Sequence, residues 1–393
     1  MYPPRSLATH LRNTHKVSAH KHFRLNRLAA LILSVFSCST YAIDITRELV
    51  DPGEYSDVNI NITSASEIVD QGSCSNNYQI SLIANDDVTM NLKGRSNVYG
   101  MLNGANYGFG SPDSTYSQGK IEINGALNLS VYSETRAGGV VAGSWFGNTG
   151  AGDTTGNIKF GREGSHNVID ISGGYRDESD PGVAQDNKMV GILGYSTMLS
   201  EPAVIKAFGS TTISVNTKKS VAQTDINRGT FGVYAASNSN ISFEDANGTL
   251  TIDMTSSDEH RRRLDAISSG LYDVVYGGNS TVTVKQKNTS IHFGTAAMVV
   301  GISSFAHSNI DLDTDLSITG TDVKSMTGLL ATHYVNTTYT DGYANAGGKI
   351  RLNGGYSFFI PEGSVPSDSR WQAISVNAYR ENAAQKAHIT VDG

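Results

Sequence analysis

Hydrophobic and polar positions alternate with a period of two along most of the chain, and the alternating segments recur in threes. A triplet opens on a hydrophobic–small–hydrophobic segment, as in Val98-Tyr99-Gly100-Met101, Met189-Val190-Gly191-Ile192, Phe231-Gly232-Val233-Tyr234, Val300-Gly301-Ile302 and Gln372-Ala373-Ile374. The second segment starts with Gly or Ser, then a polar residue, then Ile or Val: Gly119-Lys120-Ile121, Gly156-Asn157-Ile158, Ser239-Asn240-Ile241, Ser280-Thr281-Val282, Ser308-Asn309-Ile310 and Gly348-Lys349-Ile350. A third alternating segment closes the unit, as in Thr212-Ile213-Ser214-Val215 or Leu250-Thr251-Ile252-Asp253-Met254. Alternation of this kind marks strands with one buried face.

A unit repeated at tens of residues marks stacked coils. Measured at the small residue, the repeat steps from Gly100 to Ala373 range from 27 to 52 residues. One unit has no partner for its own apolar face. Wound as a triangle, its three inward rows meet, and the next coil stacks at about 4.8 Å. The fold expected is all-β, a right-handed parallel β-helix with three strands per coil, about nine coils and loops of variable length. Ile121, Ile158, Ile205, Ile241, Val282, Ile310 and Ile350 should form one interior column. The Gly or Ser before each leader should take a tight or left-handed corner. Asn157, Asn240 and Asn309 should stack along the rod. An antiparallel sandwich of short strands is the rival arrangement, but it gives strands no reason to recur in threes.

Residues 1–42 read differently. Arg5, Arg12, Lys16, Lys21, Arg24 and Arg27 precede an apolar run from Leu28 to Phe36, and small residues end at Ala42. That is the pattern of a secretory signal, with cleavage expected between Ala42 and Ile43. Residues 43–97 are read as an N-terminal cap and first coil, with Val58–Ile62, Ile80–Leu82 and Val88–Leu92 as its three strands. Residues 98–393 are the repeated coils, the last one lacking its closing strand. An unfinished coil leaves an open sheet edge.

Charge narrows the partners. The 393-residue chain has a net charge of −7, and loss of six basic and no acidic residues with the signal leaves −13. An acidic rod is not a nucleic-acid binder. Cys74 is then the lone cysteine, so packing and backbone hydrogen bonds must hold the exported fold without a disulfide.

The chain carries no nucleophile elbow, zinc-binding His-Glu-x-x-His or phosphate loop. No catalytic, metal or cofactor residue is assigned. Asp311, Asp313 and Asp315 would share one strand face if the strand continues through Asp315, where a solvated row is the simpler reading. His260-Arg261-Arg262-Arg263 is the dense basic run. Arg261, Arg262 and Arg263 are candidate contacts for an anionic glycan or phosphate, beside the plainer reading of a solvated loop. Trp145, Tyr272 and Tyr276 are candidate contacts for sugar rings. Asp170, Asp177 and Asp180 are the carboxylates that a polysaccharide-cleaving site would use.

An exported, acidic, cysteine-poor β-helix rich in Gly, Asn, Ser and Thr resembles the passenger domain of a Gram-negative autotransporter. The likeness rests on repeat grammar. It implies a pectin-lyase-like coil, export to the cell surface, outer membrane or medium, and an outer-membrane β-barrel in cis in a longer protein. No series of barrel strands follows here. The implied role is adhesion, aggregation or host interaction, with a host glycan, matrix protein or neighbouring cell as partner. A lyase or hydrolase on the same fold is the alternative.

Overall fold

The computed structural model describes residues 82–94, 98–103, 120–133, 137–143, 155–173, 189–196, 200–217, 230–256, 263–270, 279–305, 307–333, 347–360, 370–378 and 387–393, and the backbone of four earlier strands. The signal segment through Ala42 lies outside them. Residues 42–393 form one compact unit. Among the described residues there are 27 strands and no helix, and they are numbered here in chain order.

The strands form a parallel β-helix with three strands to a coil. The second strands make a ten-stranded column of their own: β2 (Gly53–Tyr55), β5 (Leu82–Ala84), β8 (Lys120–Ile123), β11 (Asn157–Phe160), β14 (Ala203–Ala207), β17 (Ser239–Phe243), β20 (Ser280–Val284), β22 (Ser308–Asp313), β24 (Lys349–Asn353) and β27 (His388–Asp392). Closing strands stack as β1 (Ile43–Ile45), β3 (Val58–Ile62), β6 (Val88–Gly94), β9 (Leu127–Ser133), β12 (His166–Gly173), β15 (Ser210–Thr217), β18 (Thr249–Ser256), the first halves of β21 (Asn288–Ser304) and β23 (Asp315–His333), and β25 (Tyr356–Phe359). Opening strands stack as β4 (Ser75–Asn76), β7 (Val98–Asn103), β10 (Ala137–Gly143), β13 (Met189–Tyr195), β16 (Thr230–Ala235), β19 (Arg263–Ser269), the second halves of β21 and β23, and β26 (Arg370–Ala378). In β21 and β23 a closing strand runs on into the opening strand of the next coil, which joins those two columns into one sheet.

Register follows the sequence pattern. Ile121 pairs with Ile158, Ile158 with Ile205, Ile205 with Ile241, Ile241 with Val282, Val282 with Ile310, and Ile310 with Ile350. All seven are at most 1% exposed. Leu250, Ile252 and Met254 of the closing column are fully buried. Each such side chain contributes about 1.5–3 kcal/mol by leaving water.

The small residue of the opening strand has a steric cause. A Cβ on Gly191 would lie 2.5 Å from the Gly232 carbonyl oxygen of the next coil and 2.5 Å from Ile213 Cγ2. Gly139 meets Gly191 O at 2.4 Å and Ile169 at 2.7 Å, and Gly232 meets Ala266 O at 2.6 Å and Ile252 at 2.7 Å. In each case the glycine leaves room for the closing-strand isoleucine and lets the neighbouring backbone approach.

Several expectations need correction. Val58–Ile62 and Val88–Leu92 are not the first and third strands of one coil: Val58 pairs with Val88, so they are equivalent closing strands one coil apart. Alternation alone does not separate these cases, because both put the same residues inward. Asn157, Asn240 and Asn309 do not stack, since Val204 separates the first two and Thr281 the second two. At the second-strand corners the left-handed residues are Asn238 (φ 38°) and His307 (φ 57°), one position before Ser239 and Ser308. Gly156 and Gly348 are instead needed for close approach: a Cβ would meet Asn103 O at 2.3 Å and Ser304 O at 2.1 Å, respectively.

The opening strands also depart from a simple one-faced pattern. β7, β10, β13 and β16 are buried throughout. Their outward residues form a second apolar cluster with Tyr99, Val190, Leu193, Phe231 and Tyr234. The Phe231 and Tyr234 rings stack at 4.1 Å.

Buried polar side chains stitch the corners. Asn167 is fully buried; its Oδ1 accepts from the Leu127 amide at 3.1 Å, and its Nδ2 donates to Phe208 O at 2.7 Å and Ser210 O at 3.2 Å. One side chain thereby ties three successive coils. Asp245 accepts from the Gly164 amide at 3.0 Å, and Gln286 Nε2 donates to Gly209 O at 2.7 Å.

Candidate functional site

The sequence-predicted site residues are not brought together among the described residues. Arg261, Arg262, Trp145, Tyr272, Tyr276, Asp177 and Asp180 lie outside the described residues, as does Ala42; Ile43 opens β1. Arg263 starts β19, and its Nε donates to Asp265 Oδ1 at 3.0 Å. Its guanidinium also sits over the Phe305 ring at 5.7 Å. The Asp265 side chain is only 3% exposed. Burial pushes its carboxyl above the usual carboxylate range, while Arg263 pulls it back down. Asp170 is exposed on β12, and desolvation raises its pKa.

The three aspartates do not share a strand. β22 ends at Asp313, and Thr314 turns the corner with a buried side chain whose Oγ1 lies 3.0 Å from that of Thr289. Asp315 therefore begins the next strand, and its Oδ1 accepts from the Gly355 amide at 2.8 Å. Asp313 Oδ1 accepts from Asn353 at 2.9 Å. Among the described residues no group of three His, Cys, Asp or Glu side chains is placed to hold a metal ion.

The geometry instead picks out the outer face of the closing column. A groove of about 550 Å³ runs across β18, β21, β23 and β25. It is floored by a row of hydroxyls in register: Thr251 beside Ser290, Ser290 beside Ser317, and Ser317 beside Ser357. A second row sets Thr249 beside Asn288 and Asn288 beside Asp315. Stacking fixes the spacing between neighbours at about 4.8 Å, so the rows repeat along the rod. Asp315 is the one ionisable carboxylate in the lining; Tyr356, paired with the buried Leu316, turns inward and packs against the core. The Tyr356 hydroxyl donates to Ala373 O at 2.7 Å, and burial raises its pKa far above the usual phenol value.

Phe359 extends this face. It is two residues on from Ser357, hence on the same side of β25, and is 60% exposed. Hydroxyl and amide groups in rows beside one exposed aromatic ring can hydrogen-bond to, and stack on, a polyhydroxylated ligand. Neither loop aromatics nor clustered carboxylates point to this surface. Its sequence signal is a Thr or Ser before one inward Ile or Phe of the closing strand in four successive coils: Thr251-Ile252, Ser290-Ile291, Ser317-Ile318 and Ser357-Phe358.

Compared with family models, curated proteins and solved structures, the chain matches none.

Proposed function

We propose that the chain is an exported cell-surface β-helix of the passenger type that acts in adhesion, without catalysis of its own, and binds neutral glycan chains along the closing-strand face. The observation that carries this reading is the groove over four coils, floored by in-register hydroxyls and flanked by exposed Phe359. An extended glycan advances by about one sugar per coil spacing, so successive rings meet successive hydroxyls. The largely uncharged lining favours neutral over acidic sugars, because a single carboxylate at Asp315 repels anionic ones. In this reading the partner is a host or neighbouring-cell glycan, and an outer-membrane barrel in cis supplies the export route.

A glycan array probed with residues 43–393 tests it. Binding to neutral linear glycans is expected, with Phe359→Ala weakening it about tenfold, or about 1.4 kcal/mol. Equal binding by wild type and Phe359→Ala, or no binding at all, counts against the groove. Release of reducing ends from a bound glycan moves the reading to the polysaccharide-active alternative.

A further inference from the structure

His292 stands one step beyond the groove on the closing-strand face. It is two residues on from Ser290, hence on the same side of β21. Its side chain is exposed, yet both ring nitrogens are engaged: Nδ1 lies 3.0 Å from Thr319 Oγ1, and Nε2 lies 3.2 Å from Thr321 Oγ1. A neutral imidazole has one donor and one acceptor nitrogen, and a hydroxyl can serve as either. Both contacts are therefore satisfied whichever nitrogen holds the proton. The two threonines are alternate residues of β23 and share its outer side. Thr319 is the register neighbour of His292.

These two contacts set the attitude of the ring. Bonds at the nitrogens of an imidazole lie in the plane of the ring. Here that plane contains the direction along β23, from Thr319 to Thr321, and the direction across from β21 to β23. Both directions lie in the sheet. The ring is thus laid flat over the gap between two coils, with one aromatic face turned outward.

The next members of the row complete the surface. Thr319 pairs in register with Phe359, so His292, Thr319 and Phe359 follow one another along the rod. The two rings are two strand spacings apart, about 9.6 Å. The hydroxyls of Ser290, Ser317 and Ser357 run alongside. On the other side of His292 its register neighbour is Asp253, an acceptor for ligand hydroxyls.

We propose that His292 is a second sugar-stacking platform and that, with Phe359, it selects an extended β-1,4-linked glycan. This rests on the glycan reading of the closing-strand face. In that reading one sugar falls on each coil, so the two rings meet every second sugar and Thr319 meets the one between. A β-1,4-linked chain is a ribbon in which each sugar is turned over relative to the last. Every second sugar then offers the same C–H face to the surface, as two rings two coils apart require. An α-1,4-linked chain curls and carries its sugars off the row. A ring already pinned by Thr319 and Thr321 has little rotamer freedom left to lose on binding.

Calorimetry on residues 43–393 tests this with neutral hexasaccharides: β-1,4-linked hexamers of glucose and of N-acetylglucosamine, and the α-1,4-linked hexamer of glucose. A β-linked hexamer should bind, and His292→Ala should weaken it about fivefold. Strand circular dichroism should not change, because the ring is exposed. The α-linked hexamer should bind wild type roughly tenfold more weakly or worse. The carbon-bound ring protons of His292, assigned by their loss in His292→Ala, should change resonance when the β-linked hexamer is added, a response that a merely structural histidine would not give. Binding that weakens with Phe359→Ala but not with His292→Ala leaves the groove in place and overturns the platform. Equal affinity for α- and β-linked hexamers overturns the choice of linkage. Absence of binding to every hexamer overturns both, together with the glycan reading.

Discussion

Gly191 offers the sharpest test of how the coils are packed. A methyl group there would sit 2.5 Å from Gly232 O and 2.5 Å from Ile213 Cγ2. The carbonyl belongs to the backbone of the next coil, where β13 and β16 pair from Val190–Phe231 to Gly194–Ala235, so it cannot swing aside without breaking that ladder. Ile213 is fully buried and has nowhere to move. Overpacking of this kind costs about 1–3 kcal/mol, and the gain from stiffening the unfolded chain returns only about 0.4–1 kcal/mol. Gly191→Ala should therefore destabilise by about 1–2 kcal/mol. Gly191→Val, with two further methyls in the same space, should cost about 3 kcal/mol or more. With a urea slope of about 3 kcal/mol/M, the midpoint falls by about 0.5 M for Ala and about 1 M for Val. Gly164→Ala separates the backbone cost from the steric one, since its φ is +76° and nothing lies within 4 Å of the added Cβ. It should cost about 1–2 kcal/mol through the left-handed conformation alone. A Gly191→Val protein that unfolds at the wild-type urea concentration would refute the steric reading of the opening-strand motif.

Two other perturbations probe the buried polar groups. Asn167→Ala strands the Leu127 amide and the Phe208 carbonyl, so a loss of about 2–4 kcal/mol is expected in urea unfolding, with faster amide exchange at Leu127. Asp265 tests the pH dependence. Its folded pKa is raised by burial, so between its unfolded and folded values the native state binds the extra proton. Its contribution to stability is then favourable on the acid side and is lost as pH rises through the folded value. Asp265→Asn should flatten that part of the stability–pH curve, and an unchanged curve would show that Asp265 does not titrate there.

Much of the coil was legible because its causes are local. Strand alternation and the Gly or Ser before each second-strand leader placed Ile121 through Ile350 in one column. The small residue of the opening strand also set the repeat, although its reason, the approach of the next coil's carbonyl, is visible only once coils are stacked. What the sequence hid depends on neighbours from other coils. Val58–Ile62 alternates like any strand, and only its pairing with Val88 shows which column it occupies. The outer face of β7 to β16 reads as a solvated face until Tyr99, Val190 and Phe231 are seen to cluster. The groove across β18, β21, β23 and β25 escaped for the same reason. Each coil contributes one or two ordinary hydroxyls, and four coils are needed before a surface exists.

The central claim is that successive second strands stack in parallel, one coil at a time. Spin-label pairs on the outer row of that column measure it directly. Lys120, Asn157, Val204, Asn240, Thr281, Asn309 and Lys349 follow one another in register. With one label at Lys120 and the second at Thr281, Asn309 or Lys349, electron–electron resonance distances should rise as about 19, 24 and 29 Å, one strand spacing per step. Distances that do not climb in that order would contradict the stacked coil and the groove built upon it.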